Sequence, residues 1–313
     1  MHGNIKKALL HKAQELNRCA SEHLSTVQAI VGELDAHVDG RTKVDESRIA
    51  DLVSKLTRFT LGVPVSIPLE SNTHFTRGVK YSEGDNGRFY RTTSRLSYIP
   101  EDLAHRAPQG RLNAAKEPVF YASLDTQSAS VSAVLAEINA VTGDVVNFLY
   151  STTRRDHAGA LHVIPIGIMA YFKRGVPVPF SLHPSFRAIH QFLCEQTDPV
   201  AMSAIHLCDD FMDTLLCAPV IDNDGREKPG LYDVTSALAR DFLATPILDG
   251  ILYQSTKSEQ FPNVALKPKA VIEKLTYVAA SAYRVVDTSE EFGYSLQCLG
   301  NGIVDGENII WLP

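Results

Sequence analysis

The chain has 313 residues, 44% hydrophobic and 21% charged, an ordinary balance for a globular protein. A net charge of −6 with no basic block excludes duplex nucleic acid as a main partner, and no window reaches the ~18 continuous apolar residues of a membrane span. Five scattered cysteines without a CxxC pair argue against a disulfide framework and a zinc site, so buried free thiols are expected.

The opening stretch "MHGNIKKALLHKAQELNRC" mixes charges into its apolar positions and lacks the uninterrupted apolar run of a signal peptide. A cytoplasmic location is the expectation. Residues 4–38 read as helix, because Ile5, Leu9, Leu10, Ala13, Leu16, Ala20, Leu24, Val27, Ile30, Val31 and Leu34 recur mostly at three- and four-residue steps. Gly40 is the expected stop. Asp45 is placed to cap a second helix whose stripe is Ile49, Leu52, Val53 and Leu56. The prolines of "LGVPVSIPLESN" then break the pattern. Residues 1–65 therefore read as a helical extension without chemistry of its own, and 66–85 as a linker.

From residue 86 the texture changes to short Val-, Ile-, Phe- and Tyr-rich runs: "RFYRTT", "PVFYASL", "DVVNFLYST", "ALHVIPIGIMAYF" and "DGILYQST". These read as strands. Helical patches lie between them at 128–139, 184–196, 199–216 and 235–243, and "DNDG" (222–225) reads as a hairpin turn. Strands interleaved with helices predict an α+β (mixed α/β) domain over 86–285, followed by a strand-rich tail, 286–313.

Four stretches carry groups with chemical potential. "GRFYRTTSR" sets Arg88 and Arg91 around Phe89 and Tyr90. "GRLNAAKEPVFYAS" places Arg111 and Asn113 in a loop before a strand holding Tyr121. Glu137 lies late in a helix. "DGILYQSTKSEQFPNVAL" puts Ser255 after a strand and Asn263 at the start of another apolar run. No GxSxG elbow surrounds Ser255, so a hydrolase triad is not supported. Two rival constellations have bland explanations. Asp209, Asp210 and Asp213 form a DDxxD of the kind that holds magnesium against a diphosphate, yet in a strand-rich chain they read as a solvated helix face. His157, His162, His183, His190 and His206 match no HExxH or HxH spacing and read as structural.

Taken in order, these blocks resemble the RES domain, a family named for an arginine, a glutamate and a serine. "FYRTTS", "GRLN", "PVFYAS", "SASVSAVLAEI", "YDVTSALARDFL" and "DGILYQS" through "NVAL" follow its pattern over residues 86–270. The chain departs from it twice. Leu112 replaces an aromatic, and the glutamate falls several residues late, Ser132 holding the usual position. The resemblance implies an ADP-ribosyltransferase-like fold and an enzyme that consumes NAD. It splits off nicotinamide by hydrolysis or phosphorolysis, or moves ADP-ribose to a protein. Such an enzyme is often a toxin held by an antitoxin or immunity protein. Carried over residue by residue, Arg91, Glu137 and Ser255 are catalytic, and Arg111, Asn113, Tyr121 and Asn263 bind the dinucleotide. Inorganic phosphate is a second candidate ligand, and no metal is expected. The remaining alternative is a catalytically inactive RES-like interaction protein.

Overall fold

The computed structural model describes residues 3–60, 73–82, 89–125, 130–154, 160–167, 183–221, 225–255, 257, 262–289 and 293–312. In chain order its helices and strands begin with α1 (Gly3–Arg18), α2 (Ala20–Val38), α3 (Glu46–Thr57), β1 (His74–Lys80), β2 (Phe120–Asp125) and α4 (Ser130–Glu137). Next come β3 (Val145–Thr153), β4 (Val163–Pro165), α5 (His183–Gln196), α6 (Pro199–Cys217), α7 (Leu231–Leu243) and β5 (Gly250–Tyr253). The last are β6 (Asn263–Leu266), α8 (Pro268–Lys274), β7 (Leu275–Ser289), β8 (Gly293–Asp305) and β9 (Asn308–Trp311). The mixed α+β class expected from the sequence is what these elements make.

The chain divides into two units. The first, Met1–Ile67 with Gln109–Ala114 and Val163–Gln254, is mainly helical. Its first three helices are not an appendage: α1 packs on α5, α2 on α6 and α3 on α7. Most of the apolar stripe read from the sequence is buried, with Leu9, Ala13, Leu16, Val27, Ile30 and Leu34 inside, whereas Leu10 is exposed. The single helix expected over 4–38 is broken at Cys19, whose backbone (φ −138, ψ 46) is not helical. At that joint the His23 ring nitrogen Nδ1 lies 3.2 Å from the Leu16 carbonyl oxygen, one of the acceptors the break exposes. Helix α2 ends as predicted: Gly40 N–H reaches His37 O (3.0 Å) and Arg41 N–H reaches Ala36 O (2.8 Å), the paired bonds of a Schellman stop. Asp45 caps α3 by accepting from Arg48 N–H. Strands β4 and β5 pair in parallel. Of the long run expected from 160 to 172, 163–165 is strand, and 168–172 lies outside the described residues. The expected "DNDG" turn also falls largely outside them, between segments joined by the Ile221–Glu227 bridge.

The second unit, Pro68–Pro108 with Ala115–His162 and Ser255–Pro313, is built on seven antiparallel strands in the order β6-β2-β1-β3-β7-β8-β9. Two readings change here. The stretch taken as linker contains β1, the strand between β2 and β3. And "RFYRTT" is not a strand: the described part runs extended beside β9 with a single bridge, Thr92–Asn308, then turns into a 3-10 helix over Thr93–Arg95. Arg88 lies outside the described residues.

Both faces of this sheet are covered, which is why the interior of β3 is almost continuously buried. On one face α4 lies over β1 and β2, with Val134, Leu135, Val146, Phe148 and Val285 forming a core. Gly78 makes that approach possible, since a Cβ there would stand 2.6 Å from Val134 Cγ1. On the other face Tyr90, Leu96, Leu149, Ala280 and Ile309 pack together. Arg77 points to this second side. Its Nε donates to Leu96 O (3.0 Å) and its Nη1 to Tyr121 O (2.9 Å), and burial of the guanidinium lowers its pKa from the usual arginine range.

Candidate functional site

The carboxylate of Glu137 is the centre of a polar network in the sheet unit. Helix α4 ends at Glu137 and is stopped by a second Schellman pair: Asn139 N–H to Ala136 O (3.0 Å) and Ala140 N–H to Leu135 O (2.9 Å). Asn139 occupies the left-handed position (φ 49) that this stop requires, a place where asparagine is among the better-tolerated residues after glycine. The stop fixes the direction in which the last helical side chain leaves. A carboxylate on the final turn opposes the helix dipole. Donors compensate. Asn263 Nδ2 donates to Glu137 Oε1 at 2.8 Å, and the Ser255 hydroxyl donates to the same oxygen. Lys257 N–H in turn donates to Ser255 Oγ (3.1 Å), which leaves the serine proton for the carboxylate. Glu137 is half-buried, while Ser255 and Asn263 are buried.

Pairing of β2 with β6 completes the network. Ser123 stands directly opposite Asn263, and its hydroxyl donates to Asn263 Oδ1 at 2.9 Å. Tyr121 lies two residues before Ser123 and therefore on the same face of the strand. Three of the residues nominated from the sequence, Glu137, Ser255 and Asn263, thus come together from segments more than a hundred residues apart. Ser132, at the alternative position for the glutamate, is exposed on α4.

Arg91 belongs to the same unit but stands at the other end of the strand order. Its carbonyl accepts from Ile309 N–H on β9 (2.8 Å), and its side chain is exposed. Arg111 and Asn113 belong to the helical unit. Arg111 Nη1 donates to Leu215 O (3.1 Å) in the last turn of α6, where a cation suits the dipole, and its guanidinium lies 6.0 Å from the Tyr232 ring centre. Asn113 closes a tight loop: its carbonyl accepts from Gly110 N–H, and its own Nδ2 donates to Ala114 O. Leu112, the departure from an aromatic, is fully buried.

Asp209 and Asp213 do not lie on the solvated face expected of them but are buried; α6 is enclosed on most sides, with Cys208, Phe211, Met212 and Leu215 also inside. Gly167 admits the Asp213 carboxylate, since a Cβ there would come within 2.3 Å of its Oδ1. The cysteines are free as expected but not buried as expected: Cys19, Cys194 and Cys298 are exposed and Cys208 alone is buried, where burial, reinforced by the neighbouring Asp209, pushes its thiol well up. His190 and His206 stack with ring centres 5.7 Å apart, and burial lowers the His190 pKa. Among the described residues no three such groups are placed to hold a metal ion, and no helix is long and apolar enough to cross a membrane.

Sequence reasoning missed Ser123 and Arg77. Ser123 had a signal, a polar residue on the same strand face as Tyr121 inside the apolar run "PVFYASL". Arg77 lay in the stretch taken as linker and had none. Comparison with protein-family models, with curated proteins and with solved structures returns no match.

Proposed function

We propose that this protein consumes NAD by breaking the bond between nicotinamide and ribose, on an ADP-ribosyltransferase-like framework of the RES type. The observation that carries the reading is the convergence of Glu137, Ser255 and Asn263. These residues were singled out in sequence for a resemblance that says nothing of distances, and they share one hydrogen-bonded network. The chemistry suits them. Nicotinamide leaves the cationic glycoside as a neutral ring, so its departure needs no strong acid, and positive charge develops on the ribose as the C1′–N bond breaks. A carboxylate held by its neighbours stabilises that charge. Tyr121, on the same strand face as Ser123, offers a ring surface to nicotinamide or ribose. The resemblance gives the diphosphate to Arg91 and Arg111, but Arg91 stands at the other end of the strand order from the Glu137 network, so the reading rests on that network and not on the arginines.

The test is release of free nicotinamide from NAD by the purified chain, alone, with inorganic phosphate and with a protein acceptor. Glu137→Gln, with its fold intact by circular dichroism, is expected to lower turnover by about 10²–10³-fold. Absence of turnover in the unaltered protein under all three conditions would end the enzymatic reading and favour an interaction protein. Overexpression in bacteria is expected to lower cellular NAD and stop growth, which is the behaviour of a toxin that a partner protein normally restrains.

A further inference from the structure

We infer that Ser123 and Asn263 are positioning residues for the Glu137 carboxylate, with Ser123 acting on it only through the Asn263 amide. The inference deepens the functional reading above and rests on it for the role given to Glu137. Asn263 was expected to contact the dinucleotide. Its side chain is instead engaged at both ends within the network: Oδ1 accepts from Ser123 Oγ at 2.9 Å and Nδ2 donates to Glu137 Oε1 at 2.8 Å. With Asn263 and Ser123 respectively 6% and 1% exposed, water is a poor substitute for either partner.

The direction of these bonds follows from what each group can do. A carboxylate only accepts, so the amide nitrogen must face Glu137. The amide oxygen then faces Ser123, whose single proton it takes. A half-turn of the amide would bring its oxygen against the carboxylate, two acceptors in contact, and would leave Ser123 facing an NH2 group. The acceptor-only carboxylate selects between two sterically equal amide orientations, and the Ser123 hydroxyl, placed directly opposite Asn263 by the register of β2 and β6, holds the selected one by donating to its oxygen. The selected orientation is the one that supplies a donor to a carboxylate on the final turn of α4, where the helix end itself is unfavourable to negative charge. Ser123 therefore influences the acid group without touching it.

The experiment uses the full chain, with two readouts. The first is exchange of the Asn263 side-chain amide protons, identified by their loss in Asn263→Asp. In the unaltered protein they are expected to exchange slowly, and Ser123→Ala to speed them by roughly tenfold, one hydrogen bond's worth. The second is steady-state nicotinamide release. Here Ser123→Ala is expected to lower kcat by roughly tenfold with little change in KM, because the aim of the carboxylate and not substrate affinity is lost. Ser123→Thr keeps the hydroxyl and is expected to restore both; Ser123→Val, of similar shape but without it, to restore neither. Fast exchange in the unaltered protein, or Val behaving like Thr, would overturn the inference without any need for a folded alanine variant. If exchange follows the expected pattern in a protein that releases no nicotinamide, the positioning stands and the functional reading falls.

Discussion

Glu137 shows how a single residue can run against local preference. Carboxylates favour the first turn of a helix, and this one sits on the last, held there by Asn263 and Ser255. Local conflicts of this kind concentrate at sites kept for function. Asp45 is the opposite case, where local chemistry and position agree. Hydrogen bonds from Ser47 Oγ and from Arg48 N–H hold its carboxyl below the usual aspartate range. Since the folded pKa is depressed, the cap's contribution is fully present above the unfolded value of about 3.9 and is lost as pH falls through the folded value. Asp45→Ala is expected to lower the melting temperature at neutral pH, and the gap between variant and parent to close as the solution is acidified below about pH 3.9. Thermal melts at a series of pH values check this; a gap that stays constant into strong acid would refute it. Asp45 was legible because a cap is a local signal. Ser123 and Asn263 were not legible as a pair, because the register of β2 on β6 is a long-range fact that neither strand encodes alone.

At the scale of elements, α4 depends on the smallness of one residue beneath it. Gly78 lets the helix approach β1, with Val134 Cγ1, Phe148 and Val146 around the place a Cβ would occupy. Gly78→Ala is expected to cost about 1–3 kcal/mol in stability by overpacking, despite alanine's better strand propensity. Adding Val134→Ala should recover part of the loss by reopening space. Denaturant unfolding of the single and double variants measures it, and additive losses would show that Gly78 and Val134 do not compete for space. Because α4 carries Glu137, the single variant should also lose turnover beyond its loss of stability. The elements that were misread share a physical origin. "RFYRTT" has strand composition, but beside β9 only Thr92 forms a bridge before the chain turns into a 3-10 helix. "HFTRGVK" was hidden by its glycine and its charges, both of which are used: Gly78 admits α4, and Arg77 satisfies the carbonyls of Leu96 and Tyr121.

Across the whole molecule the chain passes from one unit to the other five times, since Gln109–Ala114 and Val163–Gln254 return to the unit that the first helices begin. Composition suggested a helical extension followed by a catalytic domain, because helical texture changes to strand texture near residue 86. Texture cannot show that α5, α6 and α7 pack with α1, α2 and α3. Removal of residues 1–67 is thus expected to yield an insoluble or unfolded product, as the buried sides of α6 and α7 lose their cover; a soluble truncation with cooperative melting would contradict this. The interleaving also bears on how unfolding can be watched. The chain holds a single tryptophan, Trp311, which stacks on Phe89 at 4.6 Å and donates to Tyr90 O in the sheet unit. Most of the helical residues belong to the other unit. Tryptophan fluorescence, excited selectively, therefore reads one unit and far-ultraviolet dichroism chiefly the other, so two ordinary optical signals compared along one denaturant series report whether the units come apart together or in turn.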